Sequence, residues 1–250
     1  MNLLAFDTST EVMSIGVSRT VDGVAQQWLH TGAGGAQAST GLIAAVMDLL
    51  QQAGLALGQL DAICFGAGPG SFTGLRTACA VAQGLAFGAD VPVLPVDTLL
   101  AVAEEARVAA PSDAAIQRVT ALLDARMDEM YVAVYDFDGT QWHTLLDSRL
   151  VLPEALTLVD GPDALNQALV GNVFAVYGER LTGVPAITPR IAALPNAAAM
   201  LRLAPSLLAA GQAVSAAEAL PHYIRDKVAK TTAERMAEKA AIAAAAAAAQ

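Results

Sequence analysis

The sequence is short of lysine, cysteine, histidine and charge in general. Only 15% of its 250 residues are charged. All three lysines, Lys227, Lys230 and Lys239, lie in the last 24 residues, so the body draws its positive charge from arginine alone. The 14 basic against 24 acidic residues give a net charge of −10, without the basic footprint needed to grip nucleic acid by charge. Cys64 and Cys79 sit in apolar segments and read as buried thiols in a reducing compartment. His30, His143 and His222 are far apart, and no Cys/His cluster has zinc spacing. No apolar run reaches the roughly 18 residues of a spanning helix; Gly, Pro, Gln and Asp break every stretch. Met1–Asp7 has no basic region and meets an acid at once, so a cytoplasmic chain without a secretory signal is expected.

What remains is 55% hydrophobic and rich in alanine, which excludes general disorder. The length suits one large domain or two small ones. Strands are expected at Leu3–Phe6, Val12–Ser18 and Val24–His30, the last two joined by the hairpin signal Asp22-Gly23. A helix follows over Ser39–Gln52, with Leu42, Ile43, Val46, Leu49 and Leu50 at helical spacing, then a strand at Asp61–Gly66. A glycine-rich loop leads into a helix to Phe87, a strand at Val91–Val96 and a helix to Val108, capped by Asp97 or Thr98. After a break near residues 109–113 the pattern restarts, with strands at Arg118–Asp124 and Met130–Phe137. A second Asp-Gly turn, Asp138-Gly139, leads to a strand at Gln141–Val151. Short helices are expected at Pro153–Leu158 and Pro162–Val170, a strand at Val173–Tyr177 and a helix at Asn196–Ala210. The repeated strand-hairpin opening suggests a duplicated fold. The domains are therefore expected at 1–108 and 109–230, with a flexible alanine-rich tail at 231–250.

Two segments carry candidate chemistry. Asp7-Thr8-Ser9-Thr10 is a hydroxyl-rich turn at a strand end that could wrap a phosphate. The alternative is a turn that bonds only its own backbone. Gly66-Ala67-Gly68-Pro69-Gly70-Ser71-Phe72-Thr73-Gly74-Leu75-Arg76 joins a buried strand to a helix N-terminus, where an anion is favoured. It is neither a Walker loop nor the dinucleotide fingerprint. The anion-loop candidates are Asp7, Thr8, Ser9, Gly68, Gly70, Ser71, Thr73, Gly74 and Arg76, with a purely structural tight turn left open.

These strings make the chain resemble the TsaB family, dimerisation subunits of the bacterial tRNA threonylcarbamoyladenosine system. The D-T-S turn and G-P-G-S-F-T-G-L-R carry the likeness. Asp124-Ala125-Arg126-Met127-Asp128-Glu129-Met130-Tyr131 resembles the family's D-A-R-x-x-E-V-Y. Pro221-His222-Tyr223-Ile224-Arg225 resembles its closing P-x-Y-[LIV]-R. The resemblance covers about residues 1–230 and implies an α/β, two-lobed, actin-like, Hsp70-like, sugar-kinase-like ATPase (ASKHA) fold. It also implies a non-catalytic subunit that pairs with TsaD and works with TsaE. That complex uses ATP to form N6-threonylcarbamoyladenosine at adenosine 37 of ANN-decoding tRNAs, so tRNA is met only through it.

The catalytic relative needs two histidines one helical turn apart, which share a face and can hold one metal. Here Gly35–Leu42 contains none, so neither a metal site nor a catalytic residue is expected. Tyr177-Gly178-Glu179-Arg180 is a poor match to an adenosine-binding loop, so no bound cofactor is assigned. The family uses the first long helix in a bundle between subunits, making Leu42, Ala45, Val46 and Leu49 the interface candidates. The same surface would support a homodimer when TsaD is absent. Asp124, Arg126 and Glu129 are candidates for contacts on the interlobe side, against an ion-paired strand end as the simpler reading. Arg225, Lys227, Lys230, Arg235 and Lys239 read as a solvated basic tail. The competing function is a free-standing ATPase or small-molecule kinase of the same fold, which would require a phosphate turn, a metal-holding Asp and an adenosine loop together. A peptidase has no supporting constellation.

Overall fold

The computed structural model describes residues 1–109, 116–159 and 166–225. The expected boundary near 109–113 lies largely, and the tail at 231–250 entirely, outside them. Among the described residues, ten strands form two mixed sheets of five, ordered β3-β2-β1-β4-β5 and β10-β9-β6-β7-β8. The first uses β1 (Asn2–Asp7), β2 (Val12–Val21), β3 (Val24–Ala33), β4 (Ala62–Gly68) and β5 (Val93–Asp97). The second uses β6 (Arg118–Asp124), β7 (Met130–Phe137), β8 (Trp142–Val151), β9 (Gln167–Gly171) and β10 (Arg190–Ala192). In each, the opening strand pairs antiparallel with the next and parallel with the fourth.

The strands at the centre are apolar on both faces because each sheet is covered twice. Along β1, Leu4 and Phe6 point to one core while Leu3 and Ala5 point to another, as the two-residue period of a strand requires. The outer face of the first sheet is closed by α1 (Ala38–Ala53) and α2 (Phe72–Ala89). Its inner face is closed by α5 (Ala197–Ala209), through Ala197, Met200, Leu201 and Ala204. Helix α3 (Thr98–Ala109) instead sends Leu99, Val102 and Ala106 into the second sheet. The helices that follow the two sheets are thus exchanged, and they meet in the middle of the molecule. Buried Glu104 ties this layer together, accepting from Arg107, Arg202 and the Trp142 indole. Burial alone would push its carboxyl up; these partners outweigh it and hold it below the usual range.

Three expectations need correction. Gln167–Gly171 is strand β9, not the end of a helix over Pro162–Val170; its parallel slot beside β6 overrides the local pattern. The first residues of that expected helix lie outside the described ones. Val173–Tyr177 is not a strand: Phe174–Tyr177 is one short helical turn, α4, because an apolar run this short does not distinguish the two. Pro153–Leu158 is helical only as a 3-10 turn over Pro153–Ala155. The three-residue edge strand β10 was not anticipated, being too short to show a period. The thiols are buried as expected, and burial pushes Cys64 up to about 12.

Candidate functional site

The ends of β1, β4 and β6 meet at a cleft of about 670 Å³ between the two sheets. Its walls come from the turn at Ser9 and Thr10, Gly34 and Gly35, the loop Pro69–Ser71, the segment Leu123–Met127, Asn172 and the irregular segment His222–Arg225. Four separate sequence motifs are therefore brought to one place by topology.

The two hydroxyl- and glycine-rich motifs hold each other. Asp7 is fully buried and accepts from the Ser9 amide at 2.8 Å and from Ser9 Oγ at 2.6 Å. Thr8 Oγ1 donates to the Gly74 carbonyl at 2.7 Å, and the Ser71 amide donates to the Ser9 carbonyl at 2.7 Å. The glycines make this possible: a Cβ on Gly66 would overlap Asp7 Oδ2, and one on Gly74 would overlap the Thr8 carbonyl oxygen. The Thr8 and Ser9 hydroxyls and the Ser9 and Ser71 amides are thus bonded inside this joint. Asp7 Oδ2 is buried without a hydrogen-bond partner, and burial pushes the carboxyl up to about 6 against the pull of the Ser9 bonds. Ser71 and Thr73 are exposed at the start of α2. Gly68 ends β4 and is joined to Pro69 by a cis peptide, and Gly70 lies on the loop beyond it. Arg76 does not face an open loop: its guanidinium lies 3.8 Å over the Phe72 ring and its Nε donates to the Tyr223 hydroxyl at 3.1 Å.

On the opposite wall, Asp124 ends β6 as Asp7 ends β1. Its Oδ1 accepts from the Arg126 amide at 2.8 Å and the Tyr177 hydroxyl at 3.0 Å, while its amide donates to Asn172. Arg126, Met127 and Asp128 follow with φ of 61°, 56° and 62°. That is a left-handed run of three non-glycine residues, a conformation that L side chains rarely adopt. Glu129 pairs with Arg225 at 2.7 Å. Arg225 is therefore no solvated tail residue; its side chain is 14% exposed. This role was missed because a single arginine near a basic run has no periodic signal. Lys227, Lys230, Arg235 and Lys239 lie outside the described residues. Among the described residues, no group of three His, Cys, Asp or Glu side chains could hold a metal, and no helix is long and apolar enough to cross a membrane.

The interface candidates separate. Leu42, Val46 and Leu49 are buried under the first sheet, and Ala45 packs at the edge of that core. A partner cannot reach the three leucine and valine side chains from outside. The outward face of α1 instead presents Ile43 and Met47, both about half exposed, because an amphipathic helix turns one stripe to its own sheet.

Two sheets of identical topology with a cleft at their strand ends define a two-lobed protein of the actin-like, Hsp70-like, sugar-kinase-like class. A family model described as "TsaD: tRNA N6-adenosine threonylcarbamoyltransferase" matches residues 29–233. The tRNA threonylcarbamoyladenosine biosynthesis protein TsaB of Haemophilus influenzae is 35% identical, over 91% of this chain and 95% of that one. The Escherichia coli protein of the same name is 32% identical, over 92% and 96%. The solved YeaZ from Pseudomonas aeruginosa superposes with a TM-score of 0.75 at 37% identity, covering 89% of this chain and 99% of that one. The chain belongs to the TsaB family.

Proposed function

We propose that this chain is a non-catalytic subunit of tRNA threonylcarbamoyladenosine biosynthesis. It binds TsaD and supports formation of N6-threonylcarbamoyladenosine at adenosine 37 of ANN-decoding tRNAs, with TsaE and ATP serving the complex. The names of its full-length relatives support the pathway. Helix α1 carries the rest of the reading. It has no histidine with which to hold the catalytic relative's metal, it packs one stripe into its own core, and it leaves Ile43 and Met47 bare on the other side. An apolar helix face of this kind is what a subunit bundle uses, and the same face would pair two copies when TsaD is absent. The cleft side, with Asp124, Arg126 and Glu129, is left for TsaE or TsaD to contact. Nucleotide chemistry is not assigned to this chain, because the Thr8 and Ser9 hydroxyls of its first turn are already bonded to Gly74 and Asp7.

The test is a reconstitution of TsaD, TsaE, ATP and tRNA with and without this chain. Modified tRNA is expected only in its presence. Ile43→Asp with Met47→Asp should abolish copurification with TsaD and leave the melting temperature unchanged. Full modification without the chain would overturn the reading. Robust ATP turnover by the isolated chain would favour a free-standing ATPase or kinase instead.

A further inference from the structure

The last described residues run from one lobe to the other. Ala219 is fixed to the first lobe, its carbonyl accepting from Gln83 Nε2 at 2.9 Å and Cys79 Sγ at 3.4 Å. The His222 amide then donates to the Ala67 carbonyl at 2.6 Å. Tyr223 lays its ring 5.3 Å from that of Phe72 and accepts from Arg76. Two residues later the chain is held by the second lobe. One Arg225 nitrogen, Nη2, donates to Glu129 Oε2 at 2.7 Å, the Ala125 carbonyl at 3.1 Å and the Arg126 carbonyl at 3.3 Å. Its other terminal nitrogen points at Met127 Sδ, 2.9 Å away.

We propose that Pro221–Arg225 is an interlobe clasp, with Arg225 as its pin. A guanidinium can bind several acceptors at once in fixed directions. Here it fastens the Ala125 carbonyl and Glu129 carboxylate on either side of the left-handed turn at Arg126, Met127 and Asp128, and the Arg126 carbonyl within it. A strained turn persists only where its surroundings over-determine it; Arg180 on Asp128 and Asp124 on the Arg126 amide hold it from within the lobe, and Arg225 adds a constraint from a segment anchored in the other lobe. The clasp thus couples the presentation of Arg126 on one wall of the cleft to the Gly66–Arg76 loop on the other. Releasing the pin frees both walls. The strap is suited to release: Leu220 is largely exposed, Tyr223 is partly exposed, and no regular element lies between Pro221 and Arg225. This device does not depend on the proposed function.

Hydrogen exchange on the full chain tests it by cross-effect. Arg225→Ala touches only the second lobe, yet it should speed exchange of Gly66–Arg76 as well as Ala125–Glu129. Tyr223→Ala touches only the first lobe, yet it should speed exchange of Ala125–Glu129. Loss of a charged hydrogen-bonded partner supports an increase of about tenfold or more. Exchange of β1 and β6 should be unchanged, which separates release of the clasp from global unfolding. If Arg225→Ala does not fold, Arg225→Lys keeps the charge without the fork and should show the same pattern at smaller amplitude. Changes confined to the segment each residue touches would overturn the proposal.

Discussion

The two lobes are one sheet written twice and covered differently. β1, β2, β3, β4 and β5 correspond in order and direction to β6, β7, β8, β9 and β10. Both opening strands end in an aspartate that accepts from the amide two residues on. The first lobe then covers its outer face with the 16 residues of α1 and the 18 of α2. The second has, among the described residues, a 3-10 turn in one corresponding connection and the four-residue α4 with a second 3-10 turn, Gly178–Arg180, in the other. The hairpins differ too. Asp22 and Gly23 both take positive φ in a two-residue turn, whereas Asp138 caps a longer loop through the Thr140 and Gln141 amides. The lesson is that the sheet, whose pairing is global, survives duplication better than the connections. The connections that are long in the first lobe are those that form the helices α1 and α2 over its outer face.

This comparison can be broken at the aspartate joints, starting with their glycines. Gly74→Ala would drive a methyl into the Thr8 carbonyl, and Gly171→Ala, at φ 148°, into that of Leu122. Each should destabilise by about 3 kcal/mol or more, read by denaturant titration. A smaller effect at Gly171 would show that the thinly covered lobe yields more easily.

The buried carboxylate gives the next effect. Asp7 has its folded pKa raised to about 6 from an ordinary 3.8, so the native chain holds that proton more tightly than the unfolded chain. Its contribution is neutral below about pH 4 and becomes unfavourable as pH rises through 6, about 3 kcal/mol in all. Urea midpoints measured from pH 4 to pH 7 should fall accordingly, and Asp7→Asn should flatten the slope. On the other wall, Tyr177→Phe removes one donor to Asp124 and should cost about 1 kcal/mol, read by denaturant titration. The smallest effect has the opposite sign. A Cβ on Gly84, in the middle of α2, would meet nothing within 4 Å, so Gly84→Ala should stabilise the isolated chain by up to about 1 kcal/mol.

Much of the first lobe was legible because its signals are local. Leu3–Phe6 is too apolar for a surface strand, Asp22-Gly23 dictates a hairpin, and Leu42, Val46 and Leu49 repeat at helical spacing. The fold class followed from the strings at Asp7 and Gly66–Arg76. The second lobe was read less well past Val151, where the elements are too short to show a period and are placed by neighbours far away in sequence. Gln167–Gly171 becomes a strand because β6 offers it a parallel slot. At the candidate site, the sequence marks the glycines but not what they admit; that Gly66 and Gly74 make room for the Asp7–Ser9 turn is a long-range fact. The helical stripe of α1 was visible, but a stripe alone does not say whether it faces the protein's own sheet or a partner. Arg225 was hidden because two of its partners are backbone carbonyls, which leave no mark in the sequence, and Glu129 lies about a hundred residues away.

The exchange of α3 and α5 between the sheets bears on how the chain is made. A ribosome delivers the first sheet complete by Asp97, yet the side chains that close its inner face, Met200, Leu201 and Ala204, come about a hundred residues later. Until they emerge, Leu3, Leu94 and Val96 stay uncovered, and the nascent first half cannot finish as an independent unit. Severing the molecule at its apparent waist would therefore leave two halves each lacking a helix the other carries, and only co-expression of both pieces should restore a soluble product.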